Sequence, residues 1–590
     1  MEKWILHTKR ADFYKIAQEQ NIDPVIARII RNRDIETDSD IHRFLHGTLE
    51  DMHSPFLMAG MKEACVVISD AIEKKKKIRV IGDYDIDGVC ATYILVRGLT
   101  QLGADVDYAI PHRMKDGYGL SDGLVNEAKA DGIELIVTCD NGIAAFLQIE
   151  LANSLGMEVI VTDHHEIPYE EKDNIKRYIV PNAGCVIDPK LATCPYPFKE
   201  ICGAVVAWKL VMALFEYSNQ EDILFDELLQ FAAFATVGDV MPLRDENRLI
   251  VKYGLKAIEN TDNIGMRALL MATGLYDKKL NSYHLGFALG PCVNASGRLD
   301  TAANVLELFL CQNGDEAMSA AIRLKELNDS RKDMTIRQTE EAVKQIEENG
   351  YKNHQVMVLF LPECHESLAG IIAGRVREKY GKPAFVLTDS EDGLKGSGRS
   401  IEAYSMYEKM NECKELFTKF GGHKLAAGLS LPKENLERFR AFVNEHANLK
   451  EEDFINKIYI DVAMPLSYVS EKLIKELALL EPFGDGNEKP VFAIKDIRLL
   501  SYKILGKQNN VVKITAMDVE NKRYSVINYM DGNEWEEFIR SEYGEQQLMK
   551  LKEGSTNSVR GDMLYYPEIN EYRNMKTIQF VMLGFHKNKE

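Results

Sequence analysis

Between residues 78 and 165 the chain alternates short runs rich in β-branched and apolar residues with longer stretches whose apolar positions recur every three to four residues. The runs at 78–82, 105–110, 134–139 and 158–162 are strand-length, and helical patterns separate them. That alternation predicts βαβ units and a parallel sheet. Helical patterns at 202–217 and 223–237 are expected to pack on the same core. A long helix is predicted over 315–349, ended by Gly350, with Met318, Ile322, Leu324, Leu327, Met334, Ile336, Val343 and Ile346 on a rough stripe. At ~1.5 Å per residue it would span about 50 Å, longer than one domain core needs, so it reads as a connector between two lobes.

Strand signals return at 355–361, 384–388 and 426–430, the mark of a smaller second lobe ending near 450. From 455 to 588 the pattern is IYIDVAM, PVFAIKDIRLLSYKIL, NNVVKITAMDV, RYSVINYM and TIQFVMLGF, strands and turns without βα units, which suggests a small barrel. Residues 1–60 look helical, DPVIARIIRNRD being the clearest amphipathic piece. The expected class is therefore α/β, in five parts: an N-terminal helical segment packed on the core (1–60), a parallel-sheet domain (61–314), the connecting helix (315–349), a smaller α/β domain (350–450) and the barrel (451–590).

Composition fits an ordinary intracellular enzyme. The 590 residues are 45% hydrophobic, enough for several real cores. MEKWILHTKRADFYK lacks the apolar core of a signal peptide, and no run approaches the ~18 apolar residues of a membrane span, so no membrane association and a cytoplasmic location are expected. The 10 cysteines show no C-x-x-C spacing and read as reduced, buried small residues, Cys139 among them. The net charge of −19 argues against coating nucleic acid by bulk electrostatics, yet it leaves room for a locally lined channel.

Chemistry concentrates where the predicted strands end. EVIVTDHH at 158–165 runs straight into Asp163, His164 and His165. IRVIGDYDIDG at 78–88 carries Asp83, Asp85 and Asp87 at alternate positions between a strand and a helix. Three such carboxylates repel one another in a folded protein unless cations neutralise them. An EF-hand loop starts in the same way but needs a bidentate Glu at its twelfth position, where this chain has Ile94. ELIVTCDNG at 134–142 delivers Asp140 at the same end of the sheet, and Asp239 follows an apolar helix that breaks at Gly238. A carboxylate-rich set with a minority of imidazole suits Mn²⁺ or Mg²⁺ better than structural Zn²⁺, and its size suggests two ions.

Asp85, Asp87, Asp140, Asp163-His164-His165 and Asp239, in that order and spacing, resemble the four motifs of the DHH phosphoesterases. Within that family the chain is similar to the RecJ-type single-stranded-DNA-specific exonucleases over nearly its whole length, through GDYDIDG, CDNG, TDHH, GPCVNASGRLD (290–300), KGSGRS (395–400), GGHKLAAG (421–428) and LEPFGDGNEKPVF (480–492). The resemblance implies a DHH domain, a DHH-associated domain at 350–450 and an OB-fold that grips single strands. It further implies 5′ to 3′ hydrolysis of single-stranded DNA to mononucleotides, in DNA repair and recombination. Single-stranded DNA would be the substrate, with a single-strand-binding protein and a helicase as candidate partners and a monomer as the expected state.

Carried onto these residues, the resemblance makes Asp83, Asp85, Asp87, Asp140, His164 and Asp239 the metal ligands, with Asp140 and His165 catalytic. Asp140, with Asp239 as a second candidate, would bridge the two ions, Asp83 and Asp85 serving one and Asp87 and His164 the other, and His165 would contact the scissile phosphate. Asn294, Ser296 and Arg298 would line the cleft from the first lobe, and Ser397, Arg399, Gly422 and His423 would hold phosphates from the second. Read without the family, KGSGRS and FGGHKLAAG are equally consistent with tight turns that need positive φ. Tyr459, Tyr502, Tyr524, Tyr529, Tyr565, Tyr566 and Tyr572 are candidates for stacking on bases.

Two departures stand out. Ile81 occupies a position where relatives often carry a histidine ligand, with Asp83 the expected substitute, and ECHESLAGIIAGR (363–375) lacks the more usual His-Pro-Gly. Two alternatives remain: a DHH phosphodiesterase acting on short oligonucleotides or cyclic dinucleotides, which would not need a strand-gripping barrel, and an inactive single-strand-binding scaffold, which would not need an intact carboxylate set.

Overall fold

Five strands, all parallel, form the sheet that carries the acidic motifs: β1 (Lys77–Ile81), β2 (Asp105–Ala109), β3 (Leu135–Cys139), β4 (Glu158–Thr162) and β5 (Cys185–Ile187), in the order β2-β1-β3-β4-β5. The computed structural model describes residues 2–113, 117, 119–172, 175–221, 223–572 and 575–588. All five residues of β3 are buried, as are the last four of β1 and β4. A parallel sheet covered on both faces requires this, which is why these strands read as continuous apolar runs. Crossovers are made by α1 (Ile86–Gln101), α2 (Asp122–Ala130) and α3 (Phe146–Ser154). Two helices, α4 (Gly203–Tyr217) and α5 (Phe225–Gly238), pack on α1, burying Trp208, Phe231 and Phe234 completely. The four predicted strands lie within one residue of the observed ones, since each is a locally encoded apolar run.

Beyond α6 (Gly290–Leu299) the connecting helix α7 runs Gly314–Glu348 as one piece of 35 residues, its N-cap Asn313 accepting from Asp315 N and Glu316 N. Ala342 and Ile346 near its end pack into the second lobe. That lobe is a five-stranded mixed sheet, order β9-β10-β8-β7-β6, built from β6 (Met357–Phe360), β7 (Ala384–Ser390), β8 (Gly393–Arg399), β9 (Lys419–Gly422) and β10 (Ala426–Leu431), with α8 (Ala369–Tyr380) on one face. KGSGRS is therefore not a turn: its first five residues are strand, paired with β7 and β10. Its glycines answer to crowding, because a Cβ on Gly398 would lie 2.6 Å from Met406 Sδ and one on Gly396 2.5 Å from the Val386 carbonyl.

The chain divides into two compact units, residues 53–241 with 250–456, and residues 2–52 with 242–249 and 457–590. The N-terminal segment expected to pack on the parallel-sheet core belongs instead to the second unit. Its helices Phe13–Gln20, Pro24–Asn32 and Asp38–His46 bury Ala17, Ile26, Ile30 and Leu45 in one core with Leu473, Leu477, Leu480 and Phe492. Glu2–Leu6 is a strand, continued by His7 N donating to the Ile460 carbonyl at 2.9 Å. An amphipathic stripe says that a helix buries one face, not against which partner.

The barrel closes. In the second unit β11 (Phe492–Leu505), β12 (Val511–Met517), β13 (Arg523–Asn528), β14 (Arg560–Tyr572) and β15 (Met575–Lys587) run β11-β12-β13-β15-β14, and β14 pairs back onto β11. The sequence pattern missed β14 and the helices Gly532–Tyr543 and Glu545–Glu553, and it expected short strands where three have 13 or 14 residues. Tyr502, Tyr524, Tyr565 and Tyr566 are buried and unavailable for stacking, whereas Tyr459 and Tyr529 are exposed; the side chain of Tyr572 lies outside the described residues.

Candidate metal centre

The acidic residues meet where the strand order reverses. From β1 the chain crosses to β2 on one side and later to β3 on the other, so the crevice beyond the carboxyl ends of β1 and β3 is a topological switch point, where open α/β sheets bind ligands. Asp83 and Asp85 follow β1, Asp140 follows β3, Asp163, His164 and His165 follow β4, and Asp239 caps the C-terminus of α5. Asp85 is the N-cap of α1, its Oδ1 accepting from Asp87 N and Gly88 N at 2.9 and 3.1 Å. Asp87, the second residue of α1, accepts from Gly203 N (2.6 Å) and Ala204 N (2.8 Å) and so holds the first turn of α4. Asp140 stands at φ 60°, a left-handed conformation tolerated by Asp and tied here to its place at a strand end. Gly203 makes room for it, since a Cβ there would lie 2.6 Å from Asp140 Cβ.

His164 is the hub. Its Nε2 lies 3.1 Å from Asp140 Oδ1, 3.5 Å from Asp87 Oδ2 and 3.9 Å from Asp239 Oδ2. Among the described residues, ligand atoms within 4.8 Å of one another form three overlapping sets: Asp83, Asp85 and Asp140; Asp87, His164 and Asp239; Asp140, His164 and His165. Thus all six expected ligands are brought together, with Asp140 shared between sets.

Asp83, Asp87, Asp140 and His164 are only 0, 1, 2 and 6% exposed, so water cannot dissipate their charge. Burial, then the neighbouring Asp85, pushes Asp83 up to about 7. Burial with Asp87 and Asp85 pushes Asp239 up to about 8 and raises Asp140 well above the usual carboxylate range, and burial with Asp87 raises Asp85. Asp83 Oδ2 is buried without a hydrogen-bond partner among the described residues. An oxygen-rich set that cannot stay ionised by itself, with an orphaned carboxylate oxygen, is what hard divalent cations satisfy, and the residues fit Mn²⁺ or Mg²⁺. Ile81, by contrast, is fully buried in the apolar core beside β3 and offers no ligand.

Asp163 has a different task. Its carboxylate accepts from Ile143 N (2.9 Å), His164 N (2.7 Å) and His165 N (3.2 Å), and its Oδ1 lies 2.7 Å from His165 Nδ1. Burial would lower the His165 imidazole, but the hydrogen bond and charge of Asp163 outweigh it and carry His165 to about 9. The same bond holds Asp163 below its ordinary value despite burial. Burial lowers His164, the other imidazole of the pair.

The phosphate-binding candidates separate. Arg298 Nη1 donates to the Ser367 carbonyl at 2.6 Å, joining α6 to the second lobe, and Arg399 lies against α8, where Gly370 leaves space for its guanidinium. Burial, with Arg113, Arg331 and Arg399 nearby, lowers Arg298 to about 10. Asn294 Oδ1 accepts from Ile86 N at 3.1 Å and so steadies the Asp85–Asp87 loop. Ser296 does not line the cleft: it is fully buried, its hydroxyl donating to the Thr301 carbonyl at 2.7 Å. Ser397 is half-buried on β8. Gly422 (φ 142°) and exposed His423 form the start of the β9–β10 hairpin, where His423 N donates to the Ala426 carbonyl.

A cleft of about 570 Å³ beside His165 is lined by Ser121, Asp122, Asn141, Gly142, Gln148 and Glu166 from the first lobe and Lys419 from the second. Lys419 was not among the expected residues; it stands two positions before the GGH motif and carries no signal beyond that spacing. Asp188, at the end of β5, was also missed. It is fully buried and pushed up to about 7 by burial, and its signal was a strand ending in Asp-Pro.

Residues 77–236 match the DHH family N-terminal domain, 353–448 the DHHA1 domain and 460–583 the RecJ OB domain. With the parallel sheet and its carboxylate–imidazole cluster, these matches define a DHH-family phosphoesterase carrying a DHHA1 domain and an OB barrel. The single-stranded-DNA-specific exonuclease RecJ of Bacillus subtilis is 34% identical over 98% of this chain and 70% of its own length, and that of Escherichia coli 30% identical over 95% of both. Thermus thermophilus RecJ, solved in complex with Mn²⁺, superposes with a TM-score of 0.81 at 26% identity, covering 100% of this chain and 80% of that one. A manganese-bound exonuclease RecJ gives 0.58 at 33% identity, over 67% of this chain and 96% of the other. The chain belongs to the RecJ family.

Proposed function

We propose that this protein is a metal-dependent exonuclease that hydrolyses single-stranded DNA from the 5′ end and releases mononucleotides, in DNA repair and recombination. The observation that carries the reading is the convergence of Asp83, Asp85, Asp87, Asp140, His164 and Asp239 at one switch point, in a chain that also has the DHHA1 domain and a closed barrel. Asp83, Asp85 and Asp140 would hold one divalent ion and Asp87, His164 and Asp239 the second. When bound, Mn²⁺ or Mg²⁺ supplies a water activated as hydroxide and neutralises charge on the phosphoryl oxygens.

The chain's own groups do the rest. His165, protonated at neutral pH through Asp163, donates a hydrogen bond to an oxygen of the scissile phosphate as its charge grows. Arg298 and Arg399 hold neighbouring phosphates, with Ser397 and the Gly422–His423 hairpin beside them. Asn294 keeps the Asp85–Asp87 loop in register through Ile86 N. The protein would act as a monomer in the cytoplasm, on strands exposed by a helicase and covered by a single-strand-binding protein.

The test is digestion of end-labelled single- and double-stranded oligonucleotides and a cyclic dinucleotide with Mn²⁺. Mononucleotides released only from the 5′ end of single strands support the proposal. Preference for the cyclic dinucleotide, or cutting from the 3′ end, overturns it.

A further inference from the structure

The turn LEPFGDGN (480–487) is closed around Pro242–Arg248, a stretch that begins three residues after Asp239. Asn487 is fully buried, its amide donating to the Leu480 and Pro482 carbonyls at 2.8 Å each and its Oδ1 accepting from Arg33 Nε at 2.7 Å, so the turn holds its own shape. The Asp485 carbonyl accepts from Leu243 N at 2.7 Å, and the Gly486 carbonyl from Arg244 Nε at 3.0 Å. Arg248, 2% exposed, reaches back to the carbonyls of Leu479 (2.7 Å) and Leu480 (2.9 Å). The approach leaves no room for side chains on the turn, since a Cβ on Gly484 would lie 2.7 Å from Leu243 Cδ1 and one on Gly486 3.0 Å from Pro242 Cβ. Both segments belong to the barrel unit.

Asp239 stands just before this clamp, at the end of α5. There Met241 N donates to the Thr236 carbonyl (3.0 Å) and Val240 N to the Val237 carbonyl (3.2 Å), the paired bonds of a Schellman cap. Such a cap normally takes glycine at its left-handed position, yet here Val240 occupies it at φ 57°. A β-branched residue is an outlier in that conformation and persists only where its surroundings impose it. The Val240 side chain is 68% exposed, so its own packing does not impose it. The main chain does, because two residues later it is fixed by the turn 480–487.

We propose that the turn 480–487 positions the metal ligand Asp239: by clamping Pro242–Arg248 it holds Val240 left-handed, and with it the cap that keeps the Asp239 carboxylate facing His164. That carboxylate lies 3.9 Å from His164 Nε2. Relaxation of Val240 to negative φ would open both cap bonds and let Asp239, the residue before it, swing out of the ligand set. Asn487, Arg244 and Arg248 are therefore positioning residues that act through Asp239. The inference deepens the metal-site reading above and rests on it.

The experiment uses the full chain with Asn487→Ala, Arg244→Ala and Val240→Gly, singly and with Val240→Gly added to each of the other two. Mn²⁺ binding is measured by titration calorimetry without DNA, stability by urea unfolding, and kcat and KM on single strands. Asn487→Ala should weaken Mn²⁺ binding about 10-fold and lower kcat with KM little changed, as loss of a group that orients a ligand does. Arg244→Ala should act in the same direction; its side chain is exposed, and it decides the matter if Asn487→Ala does not fold. Val240→Gly alone should bind Mn²⁺ as the wild type does. In the double variants it should restore Mn²⁺ affinity and kcat but not the urea midpoint, because glycine adopts the left-handed cap unaided. Wild-type Mn²⁺ affinity in the folded clamp variants, or a loss that Val240→Gly does not relieve, would overturn the clamp. If Mn²⁺ binding followed this pattern while the chain cut no single strands, the exonuclease reading would fail and the clamp would stand.

Discussion

His165 Nδ1 lies 2.7 Å from Asp163 Oδ1, and the aspartate that makes this bond also accepts the backbone N–H groups of His164 and His165. One carboxylate therefore holds the backbone that presents both imidazoles, and it sets the ring orientation and the charge of the second. With His165 raised to about 9, the stabilising pair is fully present below the ordinary histidine value of ~6.5 and is lost as pH rises through about 9. Wild-type activity should fall over that rise. Asp163→Asn should move the fall toward neutral pH, and His165→Ala should lower kcat by about 100-fold with metal content unchanged. Measured pH–rate profiles and metal analysis check both; an unshifted profile in Asp163→Asn would refute the pairing.

Metal binding should be proton-linked. In the metal-free chain Asp83 and Asp239 are raised to about 7 and about 8 and keep protons well above the ordinary carboxylate range, so folded stability falls as pH rises from that range through those values. Bound Mn²⁺ displaces the protons, and its stabilisation should be larger at alkaline than at mildly acidic pH. Thermal unfolding with Mn²⁺ and with EDTA across pH measures this. Asp140→Ala should abolish both the Mn²⁺ effect and cleavage, while single-strand binding persists.

Gly203 carries no chemistry, yet it should be intolerant. A Cβ there would meet Asp140 Cβ at 2.6 Å and push the shared ligand away from His164. Gly203→Ala is expected to cost about 1–3 kcal/mol in urea unfolding and to weaken Mn²⁺ binding in titration calorimetry. Wild-type affinity in the variant would show that the contact relaxes.

Away from the cleft, Glu227 on α5 accepts from Arg97 Nε (2.9 Å) and Nη2 (3.1 Å) and from the Tyr93 hydroxyl, tying α5 to α1. Burial would raise its carboxyl, but the Arg97 and Tyr93 hydrogen bonds outweigh that and lower it. Its stabilisation is present above the ordinary value of ~4.3 and is lost as pH falls through the depressed one. Glu227→Gln should cost about 1–2 kcal/mol at neutral pH and flatten the acid side of the stability curve, as read by urea unfolding at several pH values.

The strands and the acidic clusters were legible because they are local. An apolar run of five residues that ends in Asp is a strand delivering a carboxylate whatever surrounds it, and the alternate spacing of Asp83, Asp85 and Asp87 announces a charge problem by itself. KGSGRS was ambiguous for the opposite reason. Gly398 serves the packing of Phe385 and Met406 and Gly396 the close approach of Val386, all elsewhere in the chain, and nothing in the motif distinguishes that from a turn.

By itself the sequence determined the order of βα units, the inventory of ligands and the kind of cation they suit, since these follow from hydrophobic period and side-chain chemistry. Only the tertiary structure decided that Ser296 turns inward to Thr301, that Lys419 comes beside His165, and that residues 13–46 share a core with the barrel unit. It also decided that Asp87 caps the helix at Gly203 while facing His164. Each of these depends on which distant surface a residue meets, and a period of 3.6 or 2 specifies that a face is buried without naming what covers it.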